Sequence, residues 1–118
     1  METTFPKRAR LFRPAEFKSV FADPVRVSCN GVVVFARRNE LGYARLGLAI
    51  ARRHVKRAHE RNRIKRLARE TFRLHALRKC GVDCVLLALA GVEQLPNREL
   101  RAALIFVWQR LLDQCAES

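Results

Sequence analysis

No stretch of this chain approaches the ~18 apolar residues that cross a bilayer as a helix. The longest apolar run, Cys84 to Val92, has about half that length. The first residues show no apolar core followed by a small-residue cleavage site, so no secretory signal is expected. Acidic residues are scarce: 11 Asp and Glu stand against 24 Lys and Arg, a formal net charge of +13. A chain so charged repels itself unless a polyanion relieves it, which points to nucleic acid first and to a membrane surface second. Cys29, Cys80, Cys84 and Cys115 are too scattered for a zinc site, since only Cys80 and Cys84 are close and no second pair matches them. No metal site is expected, and the thiols read as free in a reducing, cytoplasmic setting, with Cys84 a small buried hydrophobe. Repeats, low-complexity tracts and linkers are also missing. With 118 residues and 49% of them apolar, the chain suits one packed domain and not a disordered one.

The positive charge is concentrated. From Ala51 to Lys79 there are twelve Lys and Arg against two acids, while the rest of the chain holds twelve against nine. Residues 1–13 form a basic arm, expected to be mobile. Pro14 suits a first helical position, and Phe17, Val20 and Phe21 repeat at helical spacing, predicting a short helix to about Asp23 before Pro24. A strand over Val25–Cys29, a turn at Asn30-Gly31, a strand over Gly31–Arg38 and another over Arg45–Arg52 follow. In the last of these Leu46, Leu48 and Ile50 alternate with Gly47, Ala49 and Ala51, so one face is bulky and the other nearly bare. The bare face either admits a close-lying nucleotide chain or presses against a helix.

The strongest pattern is a helix from Val55 to about His75. At ~100° per residue, Ile64, Leu67, Ala68, Thr71, Phe72 and Leu74 share one side, and Asn62, Lys65, Arg66, Arg69 and Arg73 the other. A buried strand, Val82 to Ala90, comes next. A last helix is N-capped by Asn97 and runs to about Gln114. The order α-β-β-β-α-β-α predicts an α+β domain with helices mainly on one side of its sheet.

Lys65, Arg69 and Arg73 form a like-charge ladder at i, i+4, which costs an isolated helix a few tenths of a kcal/mol per pair. Phosphates seated between the side chains offset that cost, and arginine favours bidentate phosphate contact. A merely solvated basic face is the plainer reading.

The run Arg52-Arg53-His54-Val55-Lys56-Arg57-Ala58-His59-Glu60-Arg61-Asn62-Arg63-Ile64-Lys65-Arg66-Leu67-Ala68-Arg69-Glu70-Thr71-Phe72-Arg73 closely resembles the signature of the bacterial ribonuclease P protein family, with Arg61-Asn62-Arg63 as its central motif. The basic arm, Glu16-Phe17 and Phe21, the strand ending near Phe35, the Arg45-Leu46-Gly47-Leu48 strand and the strand led by Asp83 occur in the family's order. The resemblance implies a fold like domain two of ribosomal protein S5, with a left-handed β-α-β crossover where general rules favour the right hand. It also implies a protein subunit that assists a catalytic RNA in removing 5′ leaders from precursor tRNA, as a monomer in a one-to-one ribonucleoprotein. The protein would hold no cofactor, and Mg2+ would be required by the RNA. Carried over by position, Arg52, Arg53, Lys56, Arg57, Arg61, Asn62, Arg63, Lys65, Arg66, Arg69 and Arg73 would bind the RNA subunit. Arg13, Phe17, Phe21 and Phe35 would form a leader-binding cleft, although each phenylalanine can also be read as core. Where the family usually turns basic after the buried strand, this chain has Leu89-Ala90, expected to pack on the last helix.

Two other readings remain. A protein-centred nuclease would have to draw on His54, His59, His75, Glu60 and Glu70. His59 and Glu60 diverge by ~100° on a helix, however, and make a poor acid-base pair. Glu70 is better read as an ion-pair partner for nearby arginines, so no catalytic residue is assigned. A ribosomal or assembly protein gripping structured RNA would use the same basic helix without needing an open cleft. DNA binding lacks any helix-turn-helix or zinc-finger spacing to support it.

Overall fold

The computed structural model describes Arg10 and residues 13–117, with side chains to Cys115. The basic arm predicted over residues 1–13 therefore lies outside the described residues, Arg10 and Arg13 excepted. The described chain runs α1 (Pro14–Val20), β1 (Val25–Cys29), β2 (Val32–Arg38), β3 (Arg45–Leu48), α2 (Ala58–Leu74), β4 (Val82–Ala88) and α3 (Asn97–Glu117). Short 3₁₀ turns lie at Ala76–Lys79 and Val92–Gln94. The α+β order is the one expected from the sequence.

The four strands form one mixed sheet in the order β1-β2-β4-β3. β1 and β2 make a hairpin through Asn30 and Gly31, whose φ values of 51° and 88° are the pair of positive angles a tight two-residue turn requires. β4 lies between β2, antiparallel to it, and β3, parallel to it, and α2 supplies the crossover from β3 to β4. That central place explains why β4 is apolar after Asp83: both of its faces are covered.

α2 and α3 cover one face. Ile64, Leu67, Ala68 and Phe72 meet Leu100, Leu104, Val107 and Trp108 over Val32, Val34, Leu46, Cys84 and Leu86. Trp108 is fully buried, and its indole N–H donates to Thr71 Oγ1 at 2.8 Å, so its polar atom is satisfied within the core. Its ring meets Phe72 edge-on at 5.2 Å. On the other face α1 is the one helix among the described residues, with Val20 and Val85 buried and Phe17, Phe35 and Leu87 packed around them. Helices mainly on one side is thus correct.

Several expected boundaries change. α1 ends at Val20, not Asp23, because the residue before a proline avoids the helical region; Asp23 instead takes φ 62°. β3 stops at Leu48, since the chain must leave the sheet edge and turn at Arg52–His54, with Val55 buried, to send α2 back across it. α2 begins at Ala58, after that turn. Leu74, placed on the buried side, is 70% exposed. It lies at the edge of the apolar stripe on the last residue of the helix, and Leu77 of the next turn fills the core instead. β4 ends at Ala88, and Leu89 and Ala90 are exposed and not packed on α3. The Leu89 N–H instead donates to the Gly31 carbonyl at 2.9 Å, which holds this end of the strand beside the β1–β2 turn. α3 continues past Gln114 to Glu117, its last described turn carrying Cys115 against the core. All four cysteines are free, and burial pushes the Cys84 thiol well above its ordinary value.

Candidate nucleic-acid interface

α2 carries the densest charge, and packing decides which of its basic side chains face outward. Its apolar stripe is turned into the core, so Asn62 and Arg66 are exposed, and Lys65, Arg69 and Arg73 are half-exposed. His59, Asn62, Arg63, Lys65, Arg66 and Arg69 line an open groove of about 570 Å³, with no carboxylate among these described lining residues. Burial, with Arg10 nearby, pushes the Arg69 guanidinium below its ordinary value, though it stays charged at any physiological pH. A second concavity of about 590 Å³ is lined by Arg53, His54, Lys56, Arg57, Glu60, Ala90, Glu93 and Gln94. Ala90 thus sits on the rim of a basic surface and not under a helix.

Two motif arginines have their side chains turned inward. Arg61 Nη1 donates to the carbonyls of Val55 and Lys56, at 2.9 and 2.8 Å, and so ties the 52–57 turn to the first turn of α2. Arg63 donates to Glu60 Oε1, to Asn97 Oδ1 and to the Glu93 carbonyl. Asn97, predicted as the N-cap, is instead the first residue of α3, whose opening bond runs from the Leu100 N–H to the Pro96 carbonyl, and its Oδ1 accepts from Arg63.

The acidic residues and histidines considered for catalysis are largely occupied. Glu60 pairs with Arg63, and Glu70 forms a short ion pair with Arg101 of α3. The predicted ion-pair role of Glu70 is met, though by an arginine on α3. Those hydrogen bonds hold both carboxylates below the ordinary range. A depressed carboxylate stabilises the fold above its unfolded pKa and loses that contribution as pH falls through its folded pKa, so both ties hold at neutral pH. His75 Nδ1 accepts from the Leu77 N–H. Among the described residues no cluster of three His, Cys, Asp or Glu side chains could hold a metal ion, and no helix is long and apolar enough to cross a membrane.

The other face of the sheet carries Phe35, Arg37, Val85 and Leu87 beneath α1, and brings together the three predicted cleft phenylalanines. Phe21 is 45% exposed, and its ring lies 5.1 Å from that of Phe35 at 53°. Phe17 and Phe35 are half-buried. Arg13 is exposed at the start of α1, where its N–H donates to Glu16 Oε1. Gly47 of β3 pairs with Val85 and is buried, whereas Ala49 is exposed, so the bare strip is covered at its start and open at its end.

α1 has one fully buried side chain, Val20, worth about 1.5–3 kcal/mol. Polar bonds complete its docking. Arg45 Nη1 reaches Glu16 Oε2 at 2.7 Å, while Nε and Nη2 of the same guanidinium grip the two Asp83 oxygens at 2.8 and 2.7 Å. Asn39 Nδ2 adds a 2.7 Å bond to Asp83 Oδ1. At the far end, Arg37 Nη1 donates to the Ser19 carbonyl. The two carboxylates hold the Arg45 pKa above its ordinary value. Sequence reading missed this network because Arg45 and Asp83 belong to strands that meet only in the parallel pair.

A small α+β domain with a cationic helix on one side of its sheet and a half-open aromatic face on the other is built as an RNA-binding protein. The model of the family described as Ribonuclease P matches residues 5–112. The chain is 47% identical over 118 residues to the ribonuclease P protein component of Yersinia enterocolitica, covering all of this chain and 99% of that protein. To the same component of Proteus mirabilis it is 48% identical over 110 residues, covering 93% and 92%. In fold it is similar to the RNase P protein of Staphylococcus aureus, with TM-score 0.79 at 24% identity over 87% of this chain and 94% of that one. It is likewise similar to that of Thermotoga maritima, with TM-score 0.75 at 26% identity over 86% and 96%. The chain belongs to the ribonuclease P protein family, and its role is that of the RNA-binding protein subunit in tRNA processing.

Proposed function

We propose that the two faces of the sheet serve two RNAs. The groove of α2 and the adjoining 52–57 turn seat the RNA subunit, through Arg52, Arg53, Lys56, Arg57, Asn62, Lys65, Arg66, Arg69 and Arg73. The face beneath α1 takes the 5′ leader of precursor tRNA between Phe17, Phe21 and Phe35, with Arg13 at its edge. The catalytic centre and its Mg2+ belong to the RNA, and the protein acts in the cytoplasm as one copy per RNA. The observation that carries this reading is the pairing of a cationic groove, with no carboxylate among its described lining residues, with a half-exposed aromatic pair on the opposite side of one sheet. An assembly protein that only gripped structured RNA would have no use for the second surface.

The test is functional. The purified chain should lower the Mg2+ concentration at which a ribonuclease P RNA cleaves precursor tRNA. An unchanged Mg2+ requirement, with RNA binding intact, would leave only an assembly role.

The leader surface makes its own prediction. Aromatic faces stack on any base, as a leader of variable sequence requires, for about 1–3 kcal/mol each. Phe21→Leu and Phe35→Leu keep most of the apolar volume and remove the stacking face. Each should weaken holoenzyme binding to precursor tRNA by about five-fold or more, leaving mature tRNA unaffected. Equal weakening for both ligands would show that the rings act through the fold.

A further inference from the structure

We propose that Arg63 is a positioning residue that sets the angle of the cationic helix and makes no phosphate contact of its own. The inference rests on the reading of α2 as the RNA-subunit surface. Among motif residues Arg63 is the natural choice for a phosphate ligand, yet three of its N–H donors are engaged within the protein. Nε bonds Glu60 Oε1 at 2.8 Å, Nη1 bonds Asn97 Oδ1 at 2.8 Å, and Nη2 bonds the Glu93 carbonyl at 3.1 Å. Its side chain is 18% exposed, and its charge is opposed by Glu60. A phosphate would have to displace that carboxylate to gain a bond.

Helix phase supports the division. At ~100° per residue, Arg63 falls beside Glu70 at the edge of the groove that faces α3, while Asn62, Arg66, Arg69 and Arg73 cluster on the outward side. Glu70 meets Arg101 on that same flank. Two ties, one near each end of α2, therefore fasten it to α3 and to the turn before it. The Arg63 tie is at the end where the 52–57 turn adds its cations. A planar fork reaching three acceptors on two segments is something lysine cannot reproduce, whereas a simple phosphate contact tolerates lysine far better.

The experiment compares Arg63→Lys, Arg63→Ala, Arg66→Ala and Asn97→Ala in the full chain. Binding to a ribonuclease P RNA is measured across a salt series, and folding is monitored by circular dichroism. Arg63→Lys is expected to bind about five- to ten-fold more weakly, with the slope of log K against log salt unchanged, because an internally neutralised cation releases no counterions. Asn97→Ala should weaken binding in the same direction, and its effect should not add to that of Arg63→Lys. Arg66→Ala should lower the slope by about 1. Wild-type affinity in Arg63→Lys, or a slope lowered by about 1 in Arg63→Ala, would overturn the proposal. An unchanged slope in Arg66→Ala would remove the α2 interface itself, a separate failure that takes the Arg63 role with it.

Discussion

Replacing Lys65, Arg66 and Arg69 together by alanine is expected to weaken binding to the RNA subunit about 100-fold near 0.15 M salt and to reduce the salt slope by roughly 2 to 3. The magnitude follows from counterion release: each neutralised phosphate contributes slightly less than one to the slope, and three such contributions at that salt amount to about two decades. All three side chains line the same groove, and none of its described lining residues is a carboxylate. The fold should not suffer. Alanine is the best helix former, and relief of the Lys65–Arg69 repulsion at i, i+4 offsets the lost attraction of Arg66 to Glu70, so the free variant should be about as stable as the parent. Affinity thus falls while stability holds, which no misfolding artefact reproduces. Filter binding at several salt concentrations, beside a urea titration of the free protein, checks both. An unaltered slope would mean a solvated face.

The second large effect concerns the other side of the sheet. Arg45→Met should lower the unfolding free energy by about 3 kcal/mol, because it leaves Asp83 charged and only 7% exposed without its bidentate partner. It also removes the Arg45 bond to Glu16 in the first turn of α1, a helix with one fully buried side chain. Precursor tRNA binding should fall with it, since Phe17 and Phe21 belong to α1 and its C-cap. The double variant Arg45→Met/Asp83→Leu removes the stranded charge and should recover most of the stability, but not the tie to Glu16. Recovery of stability without recovery of leader discrimination would separate the two roles of the network. A deficit below about 1 kcal/mol in the single variant would instead rank it with ordinary surface ion pairs.

Much of this molecule is legible in order along the chain. The stripe Ile64, Leu67, Ala68, Thr71 and Phe72 announces a helix because side chains three and four apart must share a face. Asn30-Gly31 announces the hairpin because few residues accept two successive positive φ values. The unbroken apolar run after Asp83 marks the central strand. Element ends were harder to read, since they depend on where a neighbour stops. Leu74 satisfies the periodicity and still lies in solvent, because the helix ends there and Leu77 takes the buried place.

The amino-acid order alone determined that one helix would be cationic on one side, that three phenylalanines would bracket the first hairpin strand, and that the domain would be α+β. Those properties rest on spacing and composition, which are local. Only the tertiary structure decided how each charge is used. Arg63 meets Asn97 and Arg45 meets Asp83 across 34 and 38 residues of chain, and no periodicity encodes such pairs. The same residue type is therefore left facing solvent or held within the fold according to whether packing brings hydrogen-bond acceptors within its reach. Arg66 forms no hydrogen bond or ion pair among the described residues, only a longer-range attraction to Glu70, and stays exposed to solvent, whereas Arg61, Arg63 and Arg45 are held by carbonyls, carboxylates or both.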